Sequence, residues 1–460
     1  MLLASRRRSL KNALFAALSG PLSLLTRNAA HAADTVSDAP IGLSYNSIIS
    51  YGARGDGTDE SSFVMQMISA ENKLHVPAGM TLTCKNIELL DNTKVTVDGA
   101  IKLPKGCSDN DKILLAVNKS GLVIDINEVD GNSAGQSGII GTHLIYLTNC
   151  DSPVVNVKLA RDHYARPVGQ VAAPDAIRDT STGAIFLYRC TNALVSISQL
   201  RGWGREGIQL RECLRSTVSL GHAQGTGNSE YSGLQVSGKY NKILRASVDS
   251  AGASGVGFDT EFGEMSNVVS TNSRKKHGVN CGHPSYPATN SVLSNITVDR
   301  TELDGICIAA STHGLKISNF SITNAGRFGV NVSDDANDVT LSNGSISNSG
   351  QSNINAFKSN ITTYNTSFDK LDTIAVHTVD QSNDLMEGEI ITTQSGSAVI
   401  RAIIKPLDRE KKILLLTDIK GDILLNQKVF GKKSSATSII VKIHKPSRLN
   451  TISGGQIYNH

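Results

Sequence analysis

The chain has 460 residues, with 45 Lys and Arg against 41 Asp and Glu, a formal charge of +4. Residues 1 to 32 carry Arg6, Arg7, Arg8, Lys11 and Arg27 and no acid, so the rest stands at −1 and gives a nucleic-acid partner no support from global charge. That remainder is uneven. Residues 381 to 460 hold 12 Lys or Arg against 7 Asp or Glu, or +5, which leaves −6 for residues 33 to 380 and points to two modules.

The N-terminus reads as a targeting signal. Ser5-Arg6-Arg7-Arg8-Ser9-Leu10-Lys11 precedes an apolar run from Ala13 to Leu25, and Ala30-His31-Ala32 offers a small-residue cleavage site. The run is too short to anchor in a bilayer, so no membrane partner is expected after cleavage, and the protein is expected in the periplasm or secreted. The arginine pair resembles a twin-arginine export signal, though an ordinary secretory signal shares the basic start. Export in the folded state would suit a chain whose non-local strand pairing exposes edges while it forms.

A polar linker fills residues 33 to 47. The string Tyr51-Gly52-Ala53-Arg54-Gly55-Asp56-Gly57-Thr58-Asp59-Glu60 follows, and then a helical pattern from about Ser61 to Asn72. Such a helix would cap the open end of a solenoid. His75-Val76-Pro77-Ala78-Gly79-Met80 leads into alternating strands that run to Asp125. Between Cys150 and Cys190 lies an insertion, Ala160 to Ser181, with Arg161, Asp162, His163, Tyr164, Arg166, Asp175, Arg178 and Asp179. It serves either as a site-building loop or as surface decoration.

From about Thr191 to Ser359 the sequence restarts roughly every two dozen residues. A Gly-apolar-x-apolar tetrad recurs at Gly207-Ile208-Gln209-Leu210, Gly233-Leu234-Gln235-Val236, Gly305-Ile306-Cys307-Ile308 and Gly329-Val330-Asn331-Val332. Looser copies are Gly257-Phe258-Asp259-Thr260 and Gly278-Val279-Asn280-Cys281, and Asn295, Asn319 and Asn343 are spaced by 24. Apolar residues fall at every second position, without helical periodicity, so the repeats are rungs of a parallel β-helix. Cys150, Cys190 and Cys213 each end a strand before the next rung begins, which favours packing over bridging among the seven cysteines. No Cys-His grouping suggests a zinc site.

Residues 381 to 460 contain an echo. Gly388 to Ala398 resembles Asn426 to Thr437, and each leads into a strand, Val399 to Ile404 and Ser438 to Ile443. This predicts a small β-module of two similar hairpins. Its excess Lys and Arg suits either contact with anionic polysaccharide or a solubilising cap. The expected organisation is therefore leader 1–32, linker 33–47, β-helix with its cap 48–380, and β-module 381–460.

Tyr51-Gly52-Ala53-Arg54-Gly55-Asp56-Gly57-Thr58-Asp59, a helix, and then Val76-Pro77-Ala78-Gly79 together resemble the start of the pectate-lyase superfamily. More narrowly they resemble its rhamnogalacturonase and epimerase-like branch, which includes phage tailspikes. Val129-Asp130-Gly131-Asn132 is similar to that branch's early turn. The motifs cover about residues 48 to 140, and the rungs extend the match to about 375. The resemblance implies an all-β, right-handed parallel β-helix, a polysaccharide partner and, by analogy with tailspikes, a possible trimer. The superfamily's catalytic signatures are not found as an ordered set; Gly221-His222-Ala223 and His277-Gly278 are fragments only. Fold similarity alone does not give function.

Equivalent residues of stacked rungs lie about 4.8 Å apart. The outward position of each tetrad predicts a ladder of Gln209, Gln235, Asp259, Asn280, Cys307 and Asn331. Glu261 lies two residues beyond Asp259, about 7 Å away on the same side. That separation suits an inverting glycosidase, which needs roughly 6.5–9.5 Å between its acid and base. His277 is the remaining catalytic candidate. Arg205, Glu206, Gln235, Arg274, Lys276 and Asp304 are the candidate substrate-binding residues, and Trp203 or Tyr231 could stack on a sugar. Hydrolysis would use Asp259 with Glu261. Uronate elimination would use His277 or Lys276 as base, with Arg274 neutralising the carboxylate. No cofactor is expected; calcium could assist elimination, but no ligand set for it stands out. From a different class, the alternative is a non-catalytic glycan-binding or cell-surface structural protein.

Overall fold

The computed structural model describes residues 47–107, 111–136, 143–163, 183–226, 231–283, 285–333, 335–356, 361–368, 374–382, 384–404, 411–444 and 455–457. The leader and residues 33–46 of the linker lie outside these residues, as does most of the insertion.

The two-residue alternation of the repeats builds two long sheets, of 16 and 11 strands among the described residues, parallel except where Gly455–Ile457 runs antiparallel to Ile361–Tyr364. From Ile87 to Val332 successive strands go to alternate sheets, so the chain coils. Each rung lies in register on the next. Leu293, Ile296 and Val298 of one rung pair with Ile317, Phe320 and Ile322 of the following one, and all six are buried. Stacking them makes one continuous apolar column from Ile48 to Ile361. The helix Ser61–Glu71 covers the first rungs with Val64, Met67 and Ile68. Its approach is fixed by the buried Glu60, whose carboxylate accepts the Arg54 N–H and, at 3.0 Å, the Gly55 N–H.

Corners explain the asparagine spacing. Asn295, Asn319 and Asn343 sit at φ of 56°, 53° and 51°, a left-handed conformation that Asn tolerates better than most residues. A second column of left-handed corners stands where the chain leaves the 11-stranded sheet. There each residue donates its backbone N–H to the rung beyond, as Asn192 does to Leu214 at 2.9 Å and Tyr240 to Glu261 at 2.8 Å. With that bond the column runs Asn92, Gly121, Ser152, Asn192, Arg215, Tyr240, Phe262, Asn290 and Gly314, and Asp338 follows at the next corner, all ten with positive φ. Seven of the ten are Asn, Gly, Ser or Asp. Three consecutive ones are not.

All seven cysteines are buried and unbridged. The thiols of Cys150, Cys190 and Cys213 point to the carbonyls of Ala116, Leu147 and Leu187 at 3.7, 3.6 and 3.6 Å, which is the packing role the sequence suggests.

Beyond the coil, six strands close into an antiparallel barrel with its own core, including Ile391, Ile400, Leu414, Leu416, Val429 and Ile440. The expected hairpins are Ile390–Thr392 with Gly396–Ile404, and Lys428–Gly431 with Thr437–His444. Each copy also owns a preceding strand, Ile374–Ser382 and Lys411–Gly421, so the duplicated unit has three strands. The barrel therefore begins at Ile374, ahead of the 380/381 boundary drawn from charge. Hydrogen-bond pairing, which composition does not report, sets the edge. Arg300 on the coil grips Glu387 of the barrel through two bonds of 3.2 and 3.1 Å.

Candidate functional site

The register corrects the expected ladder. Gln209 pairs with Gln235, Gln235 with Gly257, Gly257 with Asn280, Asn280 with Cys307 and Cys307 with Asn331. The tetrad of that rung is therefore Gly255-Val256-Gly257-Phe258, with Val256 and Phe258 in the core and Asp259 two residues farther on, opposite Ser237. Gly257 leaves a gap in the ladder, and the Gln235 side chain lies across it: a Cβ at Gly257 would stand 1.9 Å from Gln235 Oε1. From there Gln235 Nε2 donates to Asp259 Oδ2.

The residues preceding the rung glycines stack as well. Gly207, Gly255 and Gly278 donate their N–H groups to the carbonyls of Ser232, His277 and Asp304 at 2.9, 3.0 and 3.0 Å. This column brings Glu206, His277 and Asp304, far apart in sequence, to one flank of the 11-stranded sheet.

Between the two columns runs a groove of about 590 Å³, whose walls include Glu206, Gln209, Arg211, Gln235, Asp259 and Lys276, with His277 and Tyr286. Asp259 is 5% exposed, and its Oδ1 has no hydrogen-bond partner among the described residues. Burial raises its pKa to about 8; the Gln235 bond opposes the rise and the nearby Glu206 adds to it. Glu206 accepts the Ser232 N–H at 2.9 Å, and burial of its carboxyl raises its pKa to about 7 against the pull of Arg205 and Lys276. Both carboxyls thus hold protons into the neutral range. On the next rungs His277 Nδ1 lies 3.1 Å from Asp304 Oδ2. Asp304 is fully buried. Arg327 clamps both its oxygens at 2.7 and 2.6 Å, and Asn331 adds a bond of 3.0 Å. Burial works to raise the Asp304 pKa, but the bonds from Arg327 and His277 outweigh it and hold the group ionised below the ordinary value.

The sequence matches no family model and no curated protein. Among solved structures it is similar to PfbA, a surface adhesin of Streptococcus pneumoniae, at 15% identity over 70% of this chain and 91% of that one, with a TM-score of 0.51. The fold is the right-handed parallel β-helix of the pectin-lyase type. Lower-scoring likenesses include the A-module of the Azotobacter vinelandii mannuronan C-5 epimerase AlgE6 (14% identity, 70% and 99% of the two chains, TM-score 0.48). Another is an exopolygalacturonase from Thermotoga maritima (12% identity, 72% and 93%, TM-score 0.39). At such identities the pectin-lyase-type fold is all that is shared.

Other candidates take structural or peripheral places on this β-helix. Glu261 faces Lys239 at 3.0 Å and does not line the groove. Arg274 turns away to donate to the Thr226 carbonyl. Arg205 lies over the Tyr231 ring, 5.0 Å from its centre, at the rim. Asp304 is too buried to meet substrate and instead holds His277. Trp203 is fully buried, so it packs rather than stacks on sugar. In the insertion His163 is buried and accepts the Gly204 N–H at 3.3 Å, while Tyr164, Arg166, Asp175, Arg178 and Asp179 lie outside the described residues. The donor atoms of His277, Asp304 and Cys307 lie within 4.8 Å of one another, but Arg327 already fills the cationic place beside Asp304. Burial also pushes the Cys307 thiol up to about 12, so the set does not fit a metal. Sequence reasoning missed Arg211 and Tyr286. Arg211 could have been found two residues past Gln209, on the same side of its strand. Tyr286 reaches the groove by a 2.9 Å bond to Glu212, 74 residues away, and carries no local signal.

Proposed function

We propose that the protein is exported and hydrolyses an acidic polysaccharide in this groove. The observation that carries the reading is that Glu206 and Asp259 line the same groove, two carboxyls whose pKa values are both raised by loss of water, Asp259 further by the nearby Glu206. Near neutral pH such a pair holds about one proton between its members, which provides one acid and one base. Asp259, with the higher value, protonates the leaving glycosidic oxygen, and Glu206 activates water. Lys276 and Arg211 supply positive charge for substrate carboxylates, and an open groove on a long flat sheet admits an extended chain.

A second reading rests on the His277–Asp304 pair. A histidine fixed by a buried ionised carboxylate suits removal of the proton next to a uronate carboxylate, and so elimination. Incubating the purified protein with acidic and neutral polysaccharides decides between them. New reducing ends without new ultraviolet absorbance support hydrolysis, and both signals together support elimination. If neither appears while the polymer still binds, the groove is a glycan-binding site alone.

A further inference from the structure

The second corner column holds an anomaly. Seven of its ten corners are Asn, Gly, Ser or Asp, with Asn192 just before and Asn290 just after the three exceptions. Arg215, Tyr240 and Phe262 occupy three successive corners at φ of 51°, 58° and 53°. Large side chains pay for this conformation in steric strain. Burial does not compensate: Tyr240 and Phe262 are 45% and 46% exposed. Instead their rings stack on each other, with centres 5.3 Å apart and planes at 15°. The exposed Arg215 guanidinium lies 5.8 Å from the centre of the Tyr240 ring. The rungs concerned are those that build the groove. Arg215 follows the strand carrying Glu206 and Gln209, Tyr240 follows the one carrying Gln235, and Phe262 follows the one carrying Asp259.

We infer that Arg215, Tyr240 and Phe262 form a second glycan-binding site, a stacking platform beside the groove. At a rung spacing of about 4.8 Å the three side chains span about 10 Å along the solenoid. Tyr240 is sandwiched between the Arg215 guanidinium and Phe262, so Phe262, at the end of the stack, is the ring whose other flat apolar face meets the C–H face of a sugar, and the arginine at the opposite end takes a carboxylate. Its ligand class is an acidic polysaccharide. That choice rests on the reading of the groove; the platform itself does not.

The test exploits the corner rule. Tyr240→Asn with Phe262→Asn removes both rings and installs the residue that flanking rungs use. Wild type, this double variant and Glu206→Gln are run through native gels containing alginate, polygalacturonate or dextran, and each is melted thermally. The expected result is retardation of wild type and Glu206→Gln by an acidic polymer but not by dextran. The double variant should bind that polymer roughly tenfold more weakly, with an unchanged or higher Tm. The proposal is overturned if the double variant is retarded like wild type, if no acidic polymer retards wild type, or if dextran does so equally. A fall in Tm would also overturn it, because the rings would then be kept for packing. Retention of wild type without any cleavage would sink the hydrolytic reading and leave the platform standing.

Discussion

Asp259→Asn should abolish activity and at the same time stabilise the protein. Burial, reinforced by Glu206, places the Asp259 pKa near 8, against an ordinary 3.8. The sign follows from proton linkage. Below about pH 4 the carboxyl is protonated whether the chain is folded or not, and no cost arises. Between about pH 4 and 8 the unfolded chain releases the proton while the folded one keeps it, so stability falls as pH rises; above about 8 the cost is constant. At pH 7 the folded state holds a proton about three units above its ordinary pKa, a cost of about 4 kcal/mol at 1.4 kcal/mol per unit. Asparagine keeps the shape and an acceptor for Gln235 but cannot ionise. Denaturant unfolding should therefore show the variant more stable by roughly 2–4 kcal/mol at pH 7, with the gain vanishing toward pH 4. Turnover should fall by about 10²–10⁴-fold, the usual contribution of a placed acid or base. Equal pH slopes for variant and wild type, or near wild-type turnover, would refute the assignment.

Gly257→Ala should push Gln235 off Asp259, since the new Cβ would lie 1.9 Å from its amide oxygen; activity should drop on the order of 10²-fold while the circular dichroism spectrum is unchanged. Ile306→Ala, on a fully buried side chain paired with Val330, should cost about 2–5 kcal/mol in denaturant titration, and full stability would mean the inside-outside register is wrong. Arg6→Lys with Arg7→Lys should trap the folded protein in the cytoplasm if the twin-arginine route is used, which cell fractionation followed by immunoblotting reports; normal export would point to the ordinary secretory route.

The sequence by itself determined the coil, because a β-helix writes its physics locally. An apolar residue at every second position makes a strand, and an Asn, Gly, Ser or Asp at most turns makes a corner. A period near 24 states that each rung lies on the next. The cap was equally legible at Ser61–Glu71, as were the paired hairpins of the barrel. Chemistry was legible in part. Asp259, Glu206, Gln235, Lys276 and His277 were recognisable as charged or polar residues near the rung glycines, and they do meet in one groove. Their partners were not, because register across rungs and burial are tertiary quantities. Two glycines, Gly255 and Gly257, each offer themselves as the tetrad start, and only the stacking of Val256 on Leu234 and Val279 chooses between them. That two-residue difference separates Asp259 from the ladder. Glu261, by its spacing an apt partner for Asp259, is instead held by Lys239. The assignment of Glu206 to Asp259, and of Asp304 to His277 rather than to substrate, follows from desolvation. A sequence shows that a carboxyl is present, and only the packed structure decides how much water it keeps.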